Sequence, residues 1–163
     1  YDGHRVCNVS MNPTETKKVK GICPVCHKPL VLGVDYRVSE LADRPIDFKP
    51  TAKNLPANFK QVEYIVPLAQ MISETKKVGS VMSKAVLTEY DRVINKLGDE
   101  FSILRHLPVE EIHTAGFPIL AQAIAKMRVK DLYIKPGYDG VYGVVQIFKP
   151  GEMEKEKQQL GLF

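Results

Sequence analysis

All three cysteines of the chain lie near its amino end, and two of its four histidines, His4 and His27, lie beside them. Two residues separate His4 from Cys7, and two separate Cys23 from Cys26. This spacing allows one tight turn to direct both ligands at one ion, and fifteen residues between the pairs can bring two such turns together. The pattern is typical of a zinc ribbon in which histidine replaces one cysteine. It predicts a structural Zn²⁺ site formed by these four residues.

Other chemistry is compatible with the same residues. Cys-Pro-Val-Cys could be a thioredoxin-like redox pair, but Pro29 follows too soon for the helix that such a pair begins. A rubredoxin-type iron centre uses four thiolates, whereas histidine favours zinc. Three unrelated cysteines are the simplest alternative. His27 could replace His4, although a residue directly after a ligand usually points away from the ion. Four protein ligands leave no position for water, which favours folding over catalysis.

The composition indicates a soluble chain with a basic amino end. Of 163 residues, 44% are hydrophobic, no run approaches about eighteen apolar residues, and no signal peptide is evident. We therefore expect a cytoplasmic protein without a membrane partner, and the missing initiator methionine indicates a fragment. Residues 1–60 hold ten Lys and Arg against six Asp and Glu, whereas residues 61–163 hold thirteen of each. This distribution favours a polyanion as partner of the metal module.

Capping and turn signals predict an α+β fold that begins with a small zinc-ribbon module over residues 1–45. Asn12 caps a helix that runs to about Lys20. A short strand over Leu30–Val34 follows, and then a helix over Tyr36–Ala42. Prolines at 45, 50 and 56 disfavour regular structure, and residues 46–60 are expected to form a linker, or a packed loop around Arg44.

Residues 61–148 are expected to form a mainly helical domain that ends in a β-hairpin. Val62–Val66 is expected to form a strand or an extended entry, and Pro67 opens a helix through about Ser73. The clearest helix follows an N-cap at Ser80 and ends before Gly98. Its buried stripe comprises Met82, Val86, Tyr90, Val93 and Leu97. Further helices follow Pro108 and cover Phe117 to Lys126, and the hairpin joins 132–135 to 141–148.

Four segments resemble the C-terminal half of endonuclease Q, a family also labelled as PHP-domain proteins and as relatives of a helicase. These are Asp-Gly-His-Arg at 2–5, Gly-Ile-Cys-Pro-Val-Cys at 21–26, Arg-Val-Ser-Glu-Leu-Ala-Asp-Arg-Pro at 37–45 and Lys-Pro-Gly-Tyr-Asp-Gly-Val-Tyr-Gly at 135–143. The resemblance implies an enzyme with a PHP nuclease domain, a zinc-binding domain and a helical C-terminal domain. It would nick DNA on the 5′ side of deaminated bases or abasic sites.

By this resemblance the chain carries the zinc-binding and helical parts and lacks the N-terminal nuclease domain. Four histidines, one of them used by zinc, are too few for a PHP metal centre. We therefore expect no catalytic residue here and no cleavage by the fragment alone. One departure is His27, which stands where the family has glycine.

A protein that reads a deaminated base must extrude it from the stack, at a cost of a few kcal/mol, and must hold the backbone. Because the zinc module is the basic part, we predict phosphate contacts from Arg5, Lys18, Arg37 and Arg44. Two other functions stay open: a zinc-ribbon adaptor for RNA or protein, and an accessory domain of a helicase-like protein, although the chain has no P-loop.

Residues 149–163 are polar and are expected to form a flexible tail. The tail ends in Gln-Leu-Gly-Leu-Phe, which resembles the bacterial motif that binds the sliding clamp. Apolar side chains on a mobile tether can fill a hydrophobic pocket while an amide fixes orientation. We predict that Gln159, Leu160, Leu162 and Phe163 bind the clamp; the alternative is a terminus that packs on its own domain.

Overall fold

The computed structural model describes residues 1–44, 60, 62–159 and 161. The chain divides into two compact units, the first formed by Tyr1–Gln61 with Ile134–Val144 and the second by Val62–Tyr133 with Val145–Phe163. Within the described residues there are eight α-helices and two two-stranded sheets. The expected α+β class, with a mainly helical second part, is confirmed. The expected linker lies outside the described residues apart from Lys60, and no described helix is long and apolar enough to span a membrane.

A short hairpin opens the first unit. Strand β1 (Asp2–His4) pairs antiparallel with β2 (Val9–Met11), and a 3-10 turn over Arg5–Cys7 connects them. Asn8 ends this turn in the left-handed region at φ 51°, a conformation that asparagine tolerates better than most residues. The hairpin therefore places His4 at the end of β1 and Cys7 at the end of the turn that follows it.

Helix α1 (Pro13–Lys18) begins where the capping signal predicts it. The Asn12 side chain accepts a hydrogen bond from the Glu15 backbone nitrogen, and the Glu15 carboxylate accepts one from Asn12, both at 2.9 Å. This capping box satisfies two backbone donors that the first turn leaves unpaired. The helix ends two residues before the predicted Lys20, because Lys20 itself adopts φ 53°.

The expected strand over Leu30–Val34 is wrong. Val31 forms only an isolated antiparallel bridge with Gly3, through two hydrogen bonds of 2.9 Å. Helix α2 (Val34–Leu41) then begins at Val34, two residues earlier than predicted. Strand pairing stops because the chain turns into this helix after Gly33. The predicted apolar side of the helix is exposed, with Leu41 retaining 68% of its accessible surface.

Six helices form the second unit. They are α3 (Leu68–Thr75), α4 (Lys84–Leu97), α5 (Glu100–Arg105), α6 (Val109–Thr114), α7 (Pro118–Arg128) and α8 (Glu152–Gln159). Helices α3, α4, α6 and α7 correspond to predicted helices. The core contains fully buried residues from α3 to α7, among them Met71, Val86, Ile103, Ile112 and Ile124. The helical prediction for residues after Phe117 is confirmed, because the apolar side of α7 is buried.

Helix α4 begins later than predicted. Ser83, not Ser80, is the N-cap, and its hydroxyl accepts a hydrogen bond from the Val86 nitrogen at 3.3 Å. Met82 therefore precedes the helix and keeps 73% of its surface exposed, so its assignment to the buried stripe is wrong. The rest of the stripe is buried or partly buried, as the period of 3.6 residues requires.

The predicted hairpin is confirmed in shorter form. Strand β3 (Tyr133–Lys135) pairs with β4 (Val144–Gln146), and a bridge between Tyr138 and Val141 closes the loop. The Asp-Gly pair at 139–140 adopts φ values of 44° and 75°, which are the positive angles of a tight hairpin turn. Val62–Val66, by contrast, is extended without forming a strand.

The prediction of a flexible segment directly after Phe148 is wrong. Helix α8 occupies Glu152–Gln159, and Met153 is buried against the core of the second unit. The Glu152 carboxylate accepts from the Lys149 nitrogen and pairs with Lys126, both at 2.7 Å. Composition alone suggested a solvated tail, whereas one buried apolar residue and this ion pair are enough to fix the helix.

Glu74 should contribute strongly to the stability of the second unit. Its carboxylate oxygens accept hydrogen bonds from the backbone nitrogens of Ile147 and Phe148, at 3.0 and 2.8 Å. Glu74→Ala leaves both donors unpaired beside buried side chains, so we expect the free energy of unfolding to fall by about 2 kcal/mol or more. Urea denaturation followed by circular dichroism measures this loss. Glu74→Gln, which keeps one acceptor oxygen, should lose less, and equal losses would contradict the role of the carboxylate.

Candidate metal centre

The four predicted ligands lie together in the first unit. Among the described residues, the side-chain ligand atoms of His4, Cys7, Cys23 and Cys26 all lie within 4.8 Å of one another. His4 Nδ1 is 3.1 Å from Cys26 Sγ. Cys23 is fully buried and the other three side chains are half-buried. One ion can therefore contact one imidazole and three thiolates, as the spacing predicts.

Two local structures bring these ligands together. His4 ends β1 and Cys7 ends the 3-10 turn that follows it. The second pair lies on a tight loop in which the Cys23 nitrogen donates to Lys28 at 2.8 Å and the His27 nitrogen donates to Cys23 at 2.9 Å. The His27 backbone adopts φ 58°, and its side chain is exposed and outside the cluster. The geometry therefore favours His4 over His27 as the fourth ligand.

The thiols strongly influence one another's ionisation. Burial, together with hydrogen bonds and charge from Cys26 and Cys23, raises the pKa of Cys7 to about 11. Burial also acts to raise the pKa of Cys23, but the backbone N–H groups of Cys26 and Val25 lower it to about 6. Cys23 therefore ionises readily. Ionisation of Cys7 is disfavoured by its burial and by the charge on the neighbouring thiols. A divalent cation removes this repulsion, and the sulfur and imidazole donors fit Zn²⁺.

A buried carboxylate supports the strand that carries His4. Asp2 is fully buried, and its Oδ1 accepts a hydrogen bond from the Gly33 nitrogen at 2.7 Å. Gly33 has no room for a side chain, since an added Cβ would lie 2.3 Å from the Tyr1 carbonyl oxygen. This contact joins β1 to the start of α2. It therefore fixes the strand at the edge of the ligand cluster.

The loop between β3 and β4 also packs on the metal module, which the sequence analysis did not predict. The Arg5 nitrogen donates to Asp139 Oδ2 at 2.6 Å, and the Tyr138 hydroxyl donates to Asn8 Oδ1 at 2.9 Å. The Tyr138 ring lies so close to Gly3 that an added Cβ would be 2.4 Å from it. From the residues alone, the Pro-Gly-Tyr-Asp-Gly segment predicts only a turn. Its aromatic and acidic residues were the available signal of a tertiary role.

The predicted DNA contacts are all at the surface of the first unit, in differing environments. The side chains of Arg5 and Lys18 are exposed. Arg37 pairs with Glu40 and Arg44 pairs with Asp43, each at 3.0 Å. The carboxylates offset part of the charge that composition suggested. Exposed pairs of this kind contribute little stability, so a phosphate can replace the carboxylate at small cost.

The predicted clamp-binding residues fall at the end of α8. Gln159 is its last residue, and Leu160, Leu162 and Phe163 lie outside the described residues. Their role in binding a clamp stays a prediction.

Comparison with known proteins identifies relatives of this chain. The family described as the MJ0043 C-terminal domain matches residues 67–131. The uncharacterized protein MJ0043 of Methanocaldococcus jannaschii is 32% identical over 156 residues, which cover 96% of this chain and 19% of that protein. The chain thus spans about a fifth of the length of this curated relative.

Two solved structures share the fold at 28% sequence identity. The lesion-specific endonuclease PfuEndoQ from Pyrococcus furiosus has a TM-score of 0.72 and matches 98% of this chain and 38% of that one. Endonuclease Q in complex with a 27-mer duplex substrate, with an abasic lesion at the active site, has a TM-score of 0.65 over 91% of this chain and 35% of that one. The chain is similar to part of endonuclease Q. The resemblance seen in the sequence is therefore confirmed for that part, and the chain is similar in fold to part of a lesion-specific endonuclease.

We expect the protein to bind one equivalent of Zn²⁺ through the quartet. Cys23→Ser should lose the metal and the ordered fold of the first unit, because the buried thiolate has no substitute. His27→Ala is the matched control and should retain a full equivalent. Elemental analysis measures the zinc content, and the visible spectrum of Co²⁺-loaded protein reports tetrahedral thiolate ligation. Full zinc content in Cys23→Ser would contradict the assignment. Loss of zinc from His27→Ala would indicate that His27, not His4, is the fourth ligand.

Proposed function

We propose that this chain is the zinc-binding and DNA-recognition part of a DNA-repair endonuclease that nicks on the 5′ side of deaminated bases or abasic sites. The observation that carries the proposal is the similarity to PfuEndoQ, with a TM-score of 0.72 over 98% of the chain. Similarity to a complex with an abasic duplex supports DNA as the partner. The clustered metal ligands support the zinc-binding role.

In this proposal the ion has a structural role. His4, Cys7, Cys23 and Cys26 would fill a tetrahedral zinc site and leave no position for a water nucleophile. The ion would hold the 3-10 turn against the loop that carries the second cysteine pair. Cleavage would then be the task of a separate nuclease domain, and this part would position the DNA.

The first unit offers cations for the DNA backbone. Arg5 extends from the turn that carries Cys7, so the metal fold would set its position. Arg37 lies on α2, whose start is joined to β1 by Asp2. When phosphate replaces the carboxylate partner of Arg37, a bidentate hydrogen-bonded pair can form. We propose that Arg5, Lys18, Arg37 and Arg44 contact phosphates.

Replacing Arg37 and Arg44 together by alanine should weaken binding to a duplex with an abasic site about three- to tenfold. Each lost phosphate contact should also reduce the slope of log affinity against log salt by about 0.9. Glu40→Gln releases Arg37 from its carboxylate and should strengthen binding. Fluorescence anisotropy at several salt concentrations measures both quantities, with Lys96→Ala, an exposed lysine of α4, as control.

An unchanged affinity and salt slope in the double variant would contradict the assignment of these arginines. Comparison of abasic, uracil-containing and undamaged duplexes with RNA of the same sequence tests the wider proposal. Preference for a damaged duplex supports lesion recognition. Equal or tighter binding of RNA would favour the alternative of a zinc-ribbon adaptor.

We propose in addition that Gln159, Leu160, Leu162 and Phe163 bind a sliding clamp of the bacterial type. The support is the sequence Gln-Leu-Gly-Leu-Phe, which begins at the last residue of α8. Met153 fixes the start of this helix on the second unit, so the motif follows an ordered segment. Such an arrangement lowers the entropy lost on binding compared with a motif at the end of a long flexible tail.

Removal of the residues after Gln158 should abolish binding to a purified clamp. The loss should exceed tenfold, because the two leucines and the phenylalanine are expected to carry most of the binding energy. Surface plasmon resonance with immobilised clamp measures it. Thermal unfolding of the shortened chain provides the control, since α8 up to Gln158 is retained. Equal binding by the intact and shortened chains would end this proposal.

A further inference from the structure

A cleft in the second unit has a volume of about 350 Å³, and none of the residues proposed for DNA contact in the first unit lines it. Its lining comes from the extended segment 62–65, the end of α5 and the end of α7, with Lys130 beyond it. The volume lies within the range of small-ligand sites. The walls combine apolar side chains with several charged groups, so the cleft suits a ligand that has both an apolar part and a charged part.

Cations outnumber carboxylates in this lining. Arg105, Arg128 and Lys130 contribute three positive charges, whereas Glu63 contributes one negative charge. Glu63 is occupied by Arg105, whose Nε and Nη2 atoms lie 2.5 and 3.2 Å from its carboxylate oxygens. This hydrogen-bonded pair also lowers the pKa of Glu63, so the carboxylate stays ionised at neutral pH. The remaining two cations leave the cleft with a net positive charge.

Arg128 is oriented by backbone rather than by an acid. Its Nε donates to the Leu104 carbonyl at 2.9 Å and its Nη2 donates to the Ile103 carbonyl at 2.8 Å, at the carboxyl end of α5. Burial lowers the pKa of this half-buried guanidinium, and no carboxylate among the described residues opposes the shift. The two carbonyls fix the plane of the group. A second terminal nitrogen, Nη1, is left to donate to an anionic ligand.

Tyr64 adds an aromatic surface at the same cleft. Its side chain keeps 68% of its accessible area, and the Lys130 ammonium lies 5.2 Å from the centroid of its ring. Val66, two residues later, is anchored by a contact between its nitrogen and the Met127 sulfur at 3.2 Å. An exposed ring on an anchored segment, next to oriented cations, is the combination that single-stranded nucleic acids use for stacking and phosphate binding.

We propose that this cleft binds a segment of single-stranded DNA, with a phosphodiester at Arg128 and Lys130 and a base stacked on Tyr64. The inference goes beyond the proposed function, which assigns DNA contacts to the first unit, and depends on it only for the choice of DNA as the polyanion. An unpaired nucleotide suits the site because a base inside a duplex cannot present its face to a side chain. Free phosphate could use the same cations but would gain nothing from the ring.

The test is the affinity of the whole chain for a fluorescently labelled oligothymidylate, measured by anisotropy. Tyr64→Ala should weaken binding about fivefold or more, whereas Tyr64→Phe, which keeps the ring, should stay within about twofold. Lys130→Ala should weaken binding and reduce the salt slope by about 0.7, the value for one phosphate of a single strand. Arg128→Lys keeps the charge but loses the planar fork and should also weaken binding. Lys96→Ala is the control, and circular dichroism verifies the fold of each variant.

Three outcomes would overturn the inference. If Tyr64→Ala and Lys130→Ala both bind the oligothymidylate with unchanged affinity, the cleft does not bind DNA. Weaker binding in Lys130→Ala alone, with inorganic phosphate competing as well as thymidine monophosphate, would indicate a phosphate site without stacking. Lost duplex affinity in the Arg37 and Arg44 double variant, with unchanged oligothymidylate affinity in every cleft variant, would restrict DNA to the first unit. Unchanged duplex affinity in the Arg37 and Arg44 double variant, with weaker oligothymidylate binding in the cleft variants, would support the cleft and contradict the contacts proposed for the first unit.

Discussion

The first unit depends on the convergence of three thiols and one imidazole. Apart from Pro13, the buried hydrophobic side chains among its described residues are Cys23 and Leu30, so it has very little apolar core. A unit of this kind cannot offset its conformational entropy by hydrophobic burial alone. Charge on Cys23 and Cys26 adds to burial in raising the pKa of Cys7, so ionised thiols in this cluster repel one another. A single cation would change this repulsion into the main attraction of the unit, and the position of Arg5 would follow from it.

The second unit is stabilised in a different way. Its core is apolar, and hydrogen bonds to partly buried carboxylates fix the segments that enter and leave it. Glu100 accepts from the Leu68 nitrogen and from the Tyr90 hydroxyl, both at 2.8 Å, while Glu74 fixes the chain after the hairpin. These acids pair with backbone donors that would otherwise lack partners. The unit therefore provides a rigid surface without a metal, and its cleft is lined by residues of ordered segments.

The features predicted correctly from the sequence are those that interactions between nearby residues determine. The capping box at Asn12, the spacing within each ligand pair and the buried side of α7 each depend on residues within a few positions of one another. The predictions failed where tertiary contacts decide. Val31 finds only one bridge because its partner Gly3 belongs to a three-residue strand, and α8 forms because Met153 reaches the core. The cleft around Arg128 was equally inaccessible to sequence reasoning, since its walls come from three separate segments.

The packing of residues 134–144 on the metal module has a consequence for how the protein is made. Asp139 and Tyr138 contact the turn near Cys7 across about 130 positions of sequence. During synthesis on the ribosome, the amino-terminal part therefore emerges long before the segment that completes it. The ion could order this early nascent portion, but the hairpin loop can dock only after the helices have been translated. Maturation of the first unit is thus coupled in time to synthesis of the second.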